Sequence, residues 1–528
     1  MVILMDSTLA YAYNNLFSEG INAFFITLRT LNLKPFMLIL IPFVALFLPL
    51  IGMLVYFLTN KISQKNPLIL SNKHLLQALV VIVGLVISAD YFITSSLPVN
   101  NHLTFKKRVP LMFTFFDPAP EKITLAKPLS SLPKEPEIIQ APLPFMNKKP
   151  NVFLFIIETL RKDFITDEIA PTLYAFGKQY QSSKISVSAA NASHISWYSI
   201  MHGKYPLYWK QCKKNWSKGS LALRLLKKAG YKIEVITAAE LSYFQLDQVM
   251  FGKNHCSIDQ FIECENYSSM QPWKRDQVVM NTLKTRLTDQ GTCYIVFLDS
   301  THSEYSWPDN FPIKFKPVCD GIDYLAIGLS KKSLPKIINR YKNAIHYVDN
   351  LISDFINTLK SKKLYEEALI AITGDHGEEL FEQGALFHGT HLNTFQTQVP
   401  LFIKLGNTSP LLSTSQIGAV SHTDIFPTLL AHLFQQEFPQ WFDGEPLYKE
   451  ERCPYTITAY QSSGKSPHYF YIHNGTYQLH LQFDKTSIFK QKVINLIGIH
   501  NQNNTPIHPD QHKEYLQRQF ANVFERVF

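Results

Sequence analysis

At 528 residues, with 46% hydrophobic and 18% charged side chains, the chain is long enough for several domains that each bury a core. Its net charge of +9 is spread thinly, without Lys/Arg blocks, which argues against a nucleic-acid partner and for a mildly basic exterior near anionic lipid headgroups. The six cysteines, Cys212, Cys256, Cys264, Cys293, Cys319 and Cys453, include no CxxC pair, which argues against a zinc ribbon or a thioredoxin-type centre. Cys256 with Cys264 is the easiest local disulfide to draw, whereas Cys293 lies in an apolar run that suits a buried thiol.

Residues 1–96 read as a membrane domain. Phe36–Thr59 is an uncharged apolar run of 24 residues, long enough to cross a bilayer as a helix kinked by Pro42 and Pro49. A second span is expected from Leu75 to Leu97, interrupted by Asp90, with Tyr91 and Phe92 as interfacial residues. The late start, the lack of a basic leading segment and the lack of a small-residue cleavage site argue against a signal peptide. Residues 7–33 would lie along the interface or form a weak extra span. Charge leaves the orientation open: Lys61, Lys65 and Lys73 favour a cytoplasmic loop between the spans, but Lys106, Lys107 and Arg108 follow the second span closely. Residues 97–150 hold ten of the 30 prolines, a composition that builds neither helices nor a central strand and reads as an extended tether.

From Asn151 onward the pattern alternates. Strands are expected at Asn151–Ile157, Tyr231–Thr237, Cys293–Leu298 and Ala368–Thr373, and helices near Pro171–Tyr180, Leu221–Lys228 and Leu334–Leu359. Continuous apolar strands separated by helices indicate an α/β fold, a mostly parallel sheet covered on both faces. Ligands in such folds gather beyond the carboxyl ends of the strands. There the sequence places Glu158, then Asp299 and His302, then Asp375, His376 and Glu378. Carboxylates and imidazoles without thiolates are the donor set of a zinc-type or manganese-type centre. Between them, Ala-Asn-Ala-Ser193-His reads as a turn into a short helix that stops at Gly203. Ser193 would sit near that helix's free N–H groups, where an anion is favoured; by itself it would serve equally as an ordinary N-cap.

Read together in chain order, these motifs resemble the sulfatase-fold branch of the alkaline phosphatase superfamily, from about Asn151 to about Leu433. Asn-Val-Phe-Leu-Phe-Ile-Ile-Glu158-Thr-Leu-Arg is similar to the family's first metal-ligand strand, and Tyr341–Asp349 to its helix before the Asp-His strand. Gly374-Asp-His-Gly-Glu-Glu-Leu, Phe387-His388-Gly389, Gln398-Val-Pro-Leu-Phe-Ile and Ser421-His-Thr-Asp424-Ile-Phe-Pro-Thr428 complete the series. Measured back from Gly203-Lys-Tyr-Pro, Ser193 falls where sulfatases carry the formylglycine precursor. It falls equally where lipid A phosphoethanolamine transferases and lipoteichoic acid synthases, which are membrane-anchored, carry a nucleophilic threonine, with Ser196 matching their later serine.

The resemblance implies an alkaline-phosphatase-like catalytic domain over 151–445 and a C-terminal subdomain over 446–528, where alternating stretches favour a small antiparallel sheet. It implies Glu158, Asp375 and His376 as ligands of a divalent metal, with Ser193 as fourth ligand and nucleophile. Zinc or manganese is favoured over magnesium or calcium. His302 and His388 would bind the phosphoryl group or assist the leaving group; His302 reads equally as a loop residue fixing Tyr305, and His391 competes with His388. His194, His202 and His422 read as structural. Formylglycine formation in sulfatases needs Pro two residues and Arg four residues after the precursor; Ile195 and Trp197 stand there.

The expected function is therefore a phospho-headgroup transferase of phosphoethanolamine or phosphoglycerol type, acting through a Ser193 phospho-enzyme. The donor would be a membrane lipid, the acceptor an envelope lipid, glycan or polymer. The chain would sit multi-pass in a bacterial cytoplasmic (inner) membrane with the catalytic domain on the extracytoplasmic side. Two alternatives are a hydrolase of sulfate or phosphate esters and a catalytically silent membrane regulator.

Overall fold

Six strands form the central sheet: Val152–Ile157 (β1), Lys232–Thr237 (β2), Gln260–Glu263 (β3), Thr292–Leu298 (β4), Leu369–Gly374 (β5) and Leu401–Leu405 (β6). In this computed structural model the described residues are 121–124 and, apart from short stretches, 131–507, within which the longest stretches left out are 323–332, 408–417 and 484–492. The spans expected near 36–59 and 75–97 lie outside the described residues, among which no helix is long and apolar enough to cross a membrane.

The strand order is β6-β5-β1-β4-β2-β3, parallel throughout except for the antiparallel edge strand β6. All six residues of β1 are buried, the mark of a strand covered on both faces. Because side chains alternate, Val152, Leu154 and Ile156 join a core with Ser193–His202 (α2) and Leu221–Lys228 (α3). Phe153 and Phe155 point the other way, each 5.2–5.3 Å from the ring of Phe355 on the helix Leu334–Ser361 (α5). That helix buries Ile337, Tyr341, Ala344, Val348, Ile352, Phe355 and Leu359 at helical spacing. Its Asp349 carboxylate accepts the N–H groups of Thr172 and Leu173 at 3.1 and 2.7 Å, in the first turn of Pro171–Tyr180 (α1), where free donors and the helix dipole favour a negative charge.

Three elements of this domain, β3, β6 and one helix, were not picked out from the pattern; β6 is only five residues long and was read only as a family motif. β3 is an edge strand, half-buried and flanked by Gln260 and Glu263, so it lacks the apolar run of its neighbours. Pro272–Thr285 (α4) carries many polar residues and buries a narrow stripe, including Val279, Met280 and Leu283.

The C-terminal region forms an antiparallel sheet from Thr456–Ala459 (β7), Tyr469–His473 (β8), Tyr477–Gln482 (β9) and Val493–Asn501 (β10). Its apolar face, with Ile457, Phe470, Ile472, Leu479 and Leu481, belongs to the same core as α2 and α3. The Pro-rich segment supplies this sheet's edge strand, Glu121–Thr124, paired with β10, a stretch without proline at an edge where only one side needs backbone donors. Farther on, Glu135 accepts the N–H groups of Ser217 and Lys218 at 3.0 and 2.7 Å. That part of the expected tether is laid along the domain.

All six cysteines are free. The drawn disulfide is not formed: Cys256 Sγ lies 3.9 Å from Lys218 O and Cys264 Sγ 3.7 Å from Arg275 O.

Candidate metal and nucleophile centre

The ladder itself delivers the first two carboxylates. Glu158 N–H donates to Leu298 O at 3.0 Å and Asp375 N–H to Ile157 O at 3.2 Å, so both residues continue the sheet one step past β1 and β5. Thr159 then turns the chain with φ +55, a left-handed conformation that costs a β-branched residue of the order of 1 kcal/mol or more. Four hydrogen bonds hold it. Its N–H donates to Asp375 Oδ1 at 2.9 Å and its hydroxyl to Thr301 O at 2.5 Å; the Tyr341 hydroxyl donates to its carbonyl, and Thr301 Oγ1 to Glu158 O, both at 2.5 Å. The strained turn aims Glu158 inward.

His376 is set by its own backbone. Its Nδ1 faces Gly377 O at 2.9 Å and its N–H donates to Asp375 Oδ1 at 2.8 Å, leaving Nε2 to face the centre. Gly377 is required there, because a Cβ would lie 2.1 Å from Phe395 O. Arg161, buried beneath, donates to Glu378 O at 2.8 Å and pairs with Asp163 and Glu382, tying the exit of β1 to the Asp-His turn.

Ser193 does not cap its helix. Ala192 is the extended N-cap residue (φ −155, ψ 142) and Ser193 is the first helical position. Its Oγ lies 3.1 Å from His376 Nε2 and 3.2 and 3.3 Å from the two Glu158 oxygens. The loop before it is pinned by Asn191, whose side chain donates to His391 O at 2.9 Å, and by Ala459, whose N–H donates to Ala189 O at 2.8 Å. The C-terminal sheet thus braces the serine.

A second tier of imidazoles lies over the first. The ring of His388 is 4.2 Å from that of His376 and 5.6 Å from that of His302, and its Nδ1 is 3.3 Å from Glu378 Oε2. Ligand atoms of Glu158, His376 and His388 all lie within 4.8 Å of one another. His302 also fixes the Tyr305 turn, but through its carbonyl, which accepts Tyr305 N–H at 2.6 Å. His391 is drawn elsewhere, to Glu379 Oε2 at 3.1 Å, beside Asn393 and Gln396. His422 bridges Gly374 O and Ala189 N–H, His202 meets Val249 O, and His194 packs against Trp209 and Phe244.

Burial and charge make the centre unbalanced. Burial, and then Asp375, push the Glu158 carboxyl well above the usual carboxylate range. Burial opposes the charge on Asp375 too, but His376, and then neighbouring Glu158, outweigh it and hold Asp375 low. Against the cost of burial, Asp375 and Glu158 raise His376 to about 10. Glu378 is pushed up to about 8 by burial, and His388 is driven well below its ordinary value by burial, His376 and His302. Asp375 Oδ2 and Glu378 Oε1 are buried without hydrogen-bond partners. A buried carboxylate oxygen without a partner, Asp375 Oδ2, 3.6 Å from His376 Nε2, is what a divalent cation would satisfy. The spacing is close as well: separations of 3.1–3.3 Å among Ser193, Glu158 and His376, and 3.6 Å between His376 Nε2 and Asp375 Oδ2, lie at or a little below the roughly 3.3–3.6 Å edges of a tetrahedral zinc-type site.

Residues 150–435 match the sulfatase family. The chain belongs to the sulfatase family. Over 121 residues this sulfatase-family chain is 35% identical to phosphatidylethanolamine transferase Mcr-2 of Escherichia coli, covering 22% of this chain and 21% of that protein. Over 149 residues it is 29% identical to the Kdo(2)-lipid A phosphoethanolamine 7''-transferase of Salmonella typhimurium, covering 27% and 23% of the two chains. These matches span about a fifth to a quarter of those relatives' lengths. The phosphonate monoester hydrolase SpPMH of Silicibacter pomeroyi shares the fold, with a TM-score of 0.52 at 14% identity over 72% of this chain and 96% of that one.

Within the family's frame, Ile195 and Trp197, which replace the Pro and Arg of the formylglycine pattern, are fully buried; the Trp197 indole packs edge-on to Phe297 at 5.0 Å. Those positions serve the core. Several supports carried no role in the sequence. Thr159 and Arg161 stood inside the Glu-Thr-Leu-Arg stretch, and Glu378 inside the Asp-His motif. Arg275 and Asp276 had no local signal: Arg275 pairs with Asp299, and Asp276 accepts the N–H groups of Asp299 and Ser300 at 2.7 and 2.8 Å, steadying the loop that bears His302.

Proposed function

We propose that this chain is a metal-dependent transferase that moves a phospho-headgroup, of phosphoethanolamine or phosphoglycerol type, from a membrane phospholipid to an envelope lipid, glycan or polymer. One observation carries the reading: an unblocked Ser193 hydroxyl meets Glu158 and His376 at 3.1–3.3 Å, while buried Ile195 and Trp197 fill the positions that formylglycine formation needs. Glu158, Asp375 and His376 would hold the ion, with Ser193 as fourth ligand and zinc or manganese as the suited metals. When bound, the ion supplies positive charge that balances the two carboxylates and lowers the proton affinity of the serine hydroxyl.

Ser193 Oγ gives its proton to water and attacks phosphorus; the new Oγ–P bond forms as the bond from phosphorus to the lipid alkoxide breaks, and that oxygen takes a proton from His388 or His302. The acceptor hydroxyl then loses its proton to the same imidazole and attacks the phosphoserine, and Ser193 Oγ leaves and takes a proton back from water. Glu378 holds His388 in place. The catalytic unit over 151–445 would face the extracytoplasmic side of a bacterial inner membrane, anchored by spans near 36–59 and 75–97. The mass and lipid composition of envelopes bearing wild-type or Ser193→Ala protein test this; unchanged headgroup decoration would overturn it.

The second reading, hydrolysis of a phosphate or sulfate ester, uses the same residues with water as acceptor. Serine is itself a formylglycine precursor, and the intact-peptide mass at residue 193 separates the sulfate branch. Stoichiometric metal in purified protein separates both readings from a silent regulator.

A further inference from the structure

Four large apolar side chains stand out as exposed among the described residues: Tyr243 at 52%, Val278 at 41%, Ile313 at 39% and Val493 at 43%. Two of them, Tyr243 and Ile313, sit on the loops that follow the carboxyl ends of β2 and β4. These strands are neighbours, and β4 pairs in parallel with β1, so both loops leave the edge of the sheet that carries Glu158 and faces Ser193.

The first loop is locked to the nucleophile's helix. The ring of Phe244 is 4.6 Å from that of His194, the residue after Ser193, and 4.2 Å from that of Tyr243. Lys213 Nζ donates to Phe244 O at 2.5 Å, and Leu241 N–H donates to Glu263 Oε1 at 2.9 Å. Phe244 and Gln245 adopt φ values of +57 and +60, a consecutive left-handed pair that non-glycine residues hold only when their surroundings impose it. The second loop has no acidic residue from Asn310 to Cys319, and exposed Lys314 and Lys316 stand on either side of buried Phe315, next to Ile313. The ammonium groups of Lys314 and Lys342 lie 5.6 and 5.5 Å from the Phe315 ring.

An apolar tip with lysines beside it matches a headgroup layer: the ring or aliphatic chain enters the ester region while the ammonium stays with the phosphates. We propose that Tyr243 and Ile313 form the rim through which the Ser193 edge meets an anionic phospholipid surface, so that a donor phosphodiester reaches the serine without leaving the bilayer. Glu240, Glu304 and Asp309 lie on the same loops and Lys314 Nζ donates to Glu168 O at 2.5 Å, so insertion of the two tips, helped by Lys316, contributes more than a broad basic patch. The inference rests on the phospholipid-donor reading.

The test uses the full chain in nanodiscs of phosphatidylethanolamine and phosphatidylglycerol. Diacylglycerol release from the nanodisc lipid is compared with dihexanoylglycerol release from dissolved dihexanoyl forms of the same two lipids. The quantity read is the ratio of the two rates. Tyr243→Ser and Ile313→Ser should each lower that ratio, and together lower it roughly tenfold or more, the scale set by withdrawing two half-buried apolar side chains from the interface. Tyr243→Trp should restore it, and Val493→Ser, equally exposed but on β10, should leave it at the wild-type value. A double variant whose ratio stays within about twofold of wild type, or a Val493→Ser loss as large as its own, overturns the rim. A wild-type chain that cleaves neither lipid form overturns the phospholipid-donor reading and the rim with it.

Discussion

Asp375→Asn separates the two jobs of one side chain. Asp375 Oδ1 accepts the N–H groups of Thr159 and His376 at 2.9 and 2.8 Å, while Oδ2 is the buried, unpartnered atom. An amide of the same shape keeps its oxygen on the two N–H groups, so the turn survives, and it places NH2 where the orphaned oxygen was. What is lost is a negative charge 3.6 Å from His376 Nε2. With an effective dielectric of about 20, a unit charge pair at that distance is worth about 4–5 kcal/mol. An ion with two charges loses at least as much, so affinity for zinc or manganese should fall by roughly a thousandfold or more. Competition against a chromophoric chelator measures the affinity, and thermal unfolding of both metal-free proteins shows whether the fold is kept. An Asp375→Asn protein that folds and holds metal within about tenfold of wild type would refute the assignment of Oδ2 to the ion.

Metal affinity should also depend on pH. His376 must shed its proton to ligate, and in the metal-free chain that proton leaves at about 10. Apparent affinity should therefore climb about tenfold per pH unit from pH 7 toward 10, readable by the same chelator titration. The raised imidazole also stabilises the metal-free fold fully below its ordinary value near 6.5, and this is lost as pH rises through 10, so the metal-free protein should melt earlier at pH 9.5 than at pH 6.5. Gly377→Ala should cost roughly 3 kcal/mol in denaturant unfolding, because the added Cβ meets Phe395 O at 2.1 Å in the backbone. His388→Ala should reduce turnover roughly a hundredfold or more, whereas His391→Ala, which breaks only the contact with Glu379, should lower stability by about 1–3 kcal/mol and leave metal content intact; equal losses of turnover in the two variants would contradict the separation drawn between them.

The central sheet was legible because its strands are buried on both faces, and such strands must be apolar at every position. Val152–Ile157 and Thr292–Leu298 announce themselves for that reason, while Gln260–Glu263, on an edge, does not. The centre was legible in its charged members. Glu158, Asp375 and His376 each follow a strand, and the topology brings strand ends to one edge; Ser193 was placed by spacing to Gly203-Lys-Tyr-Pro. Its supports were not. Arg275, Asp276 and the strained Thr159 act through contacts with residues far away in the chain, such as Asp299 and Tyr341, and no local pattern encodes a distant partner.

The imidazoles show where sequence stops and tertiary structure decides. His388 and His391 are three residues apart, in one loop, and equally eligible by type. The chain turns at Phe387 and Gly389, with φ +70 and +71, and sends one ring over His376 and the other to Glu379. Likewise Ser193 read as an ordinary cap until Ala192 took the capping position. Sequence by itself determined the mostly parallel sheet, the family and the kinds of atom at the sheet's edge, because burial on both faces depends on residue type. Which atoms face one another within 3–4 Å depends on backbone turns and remote braces, and the folded chain alone sets those.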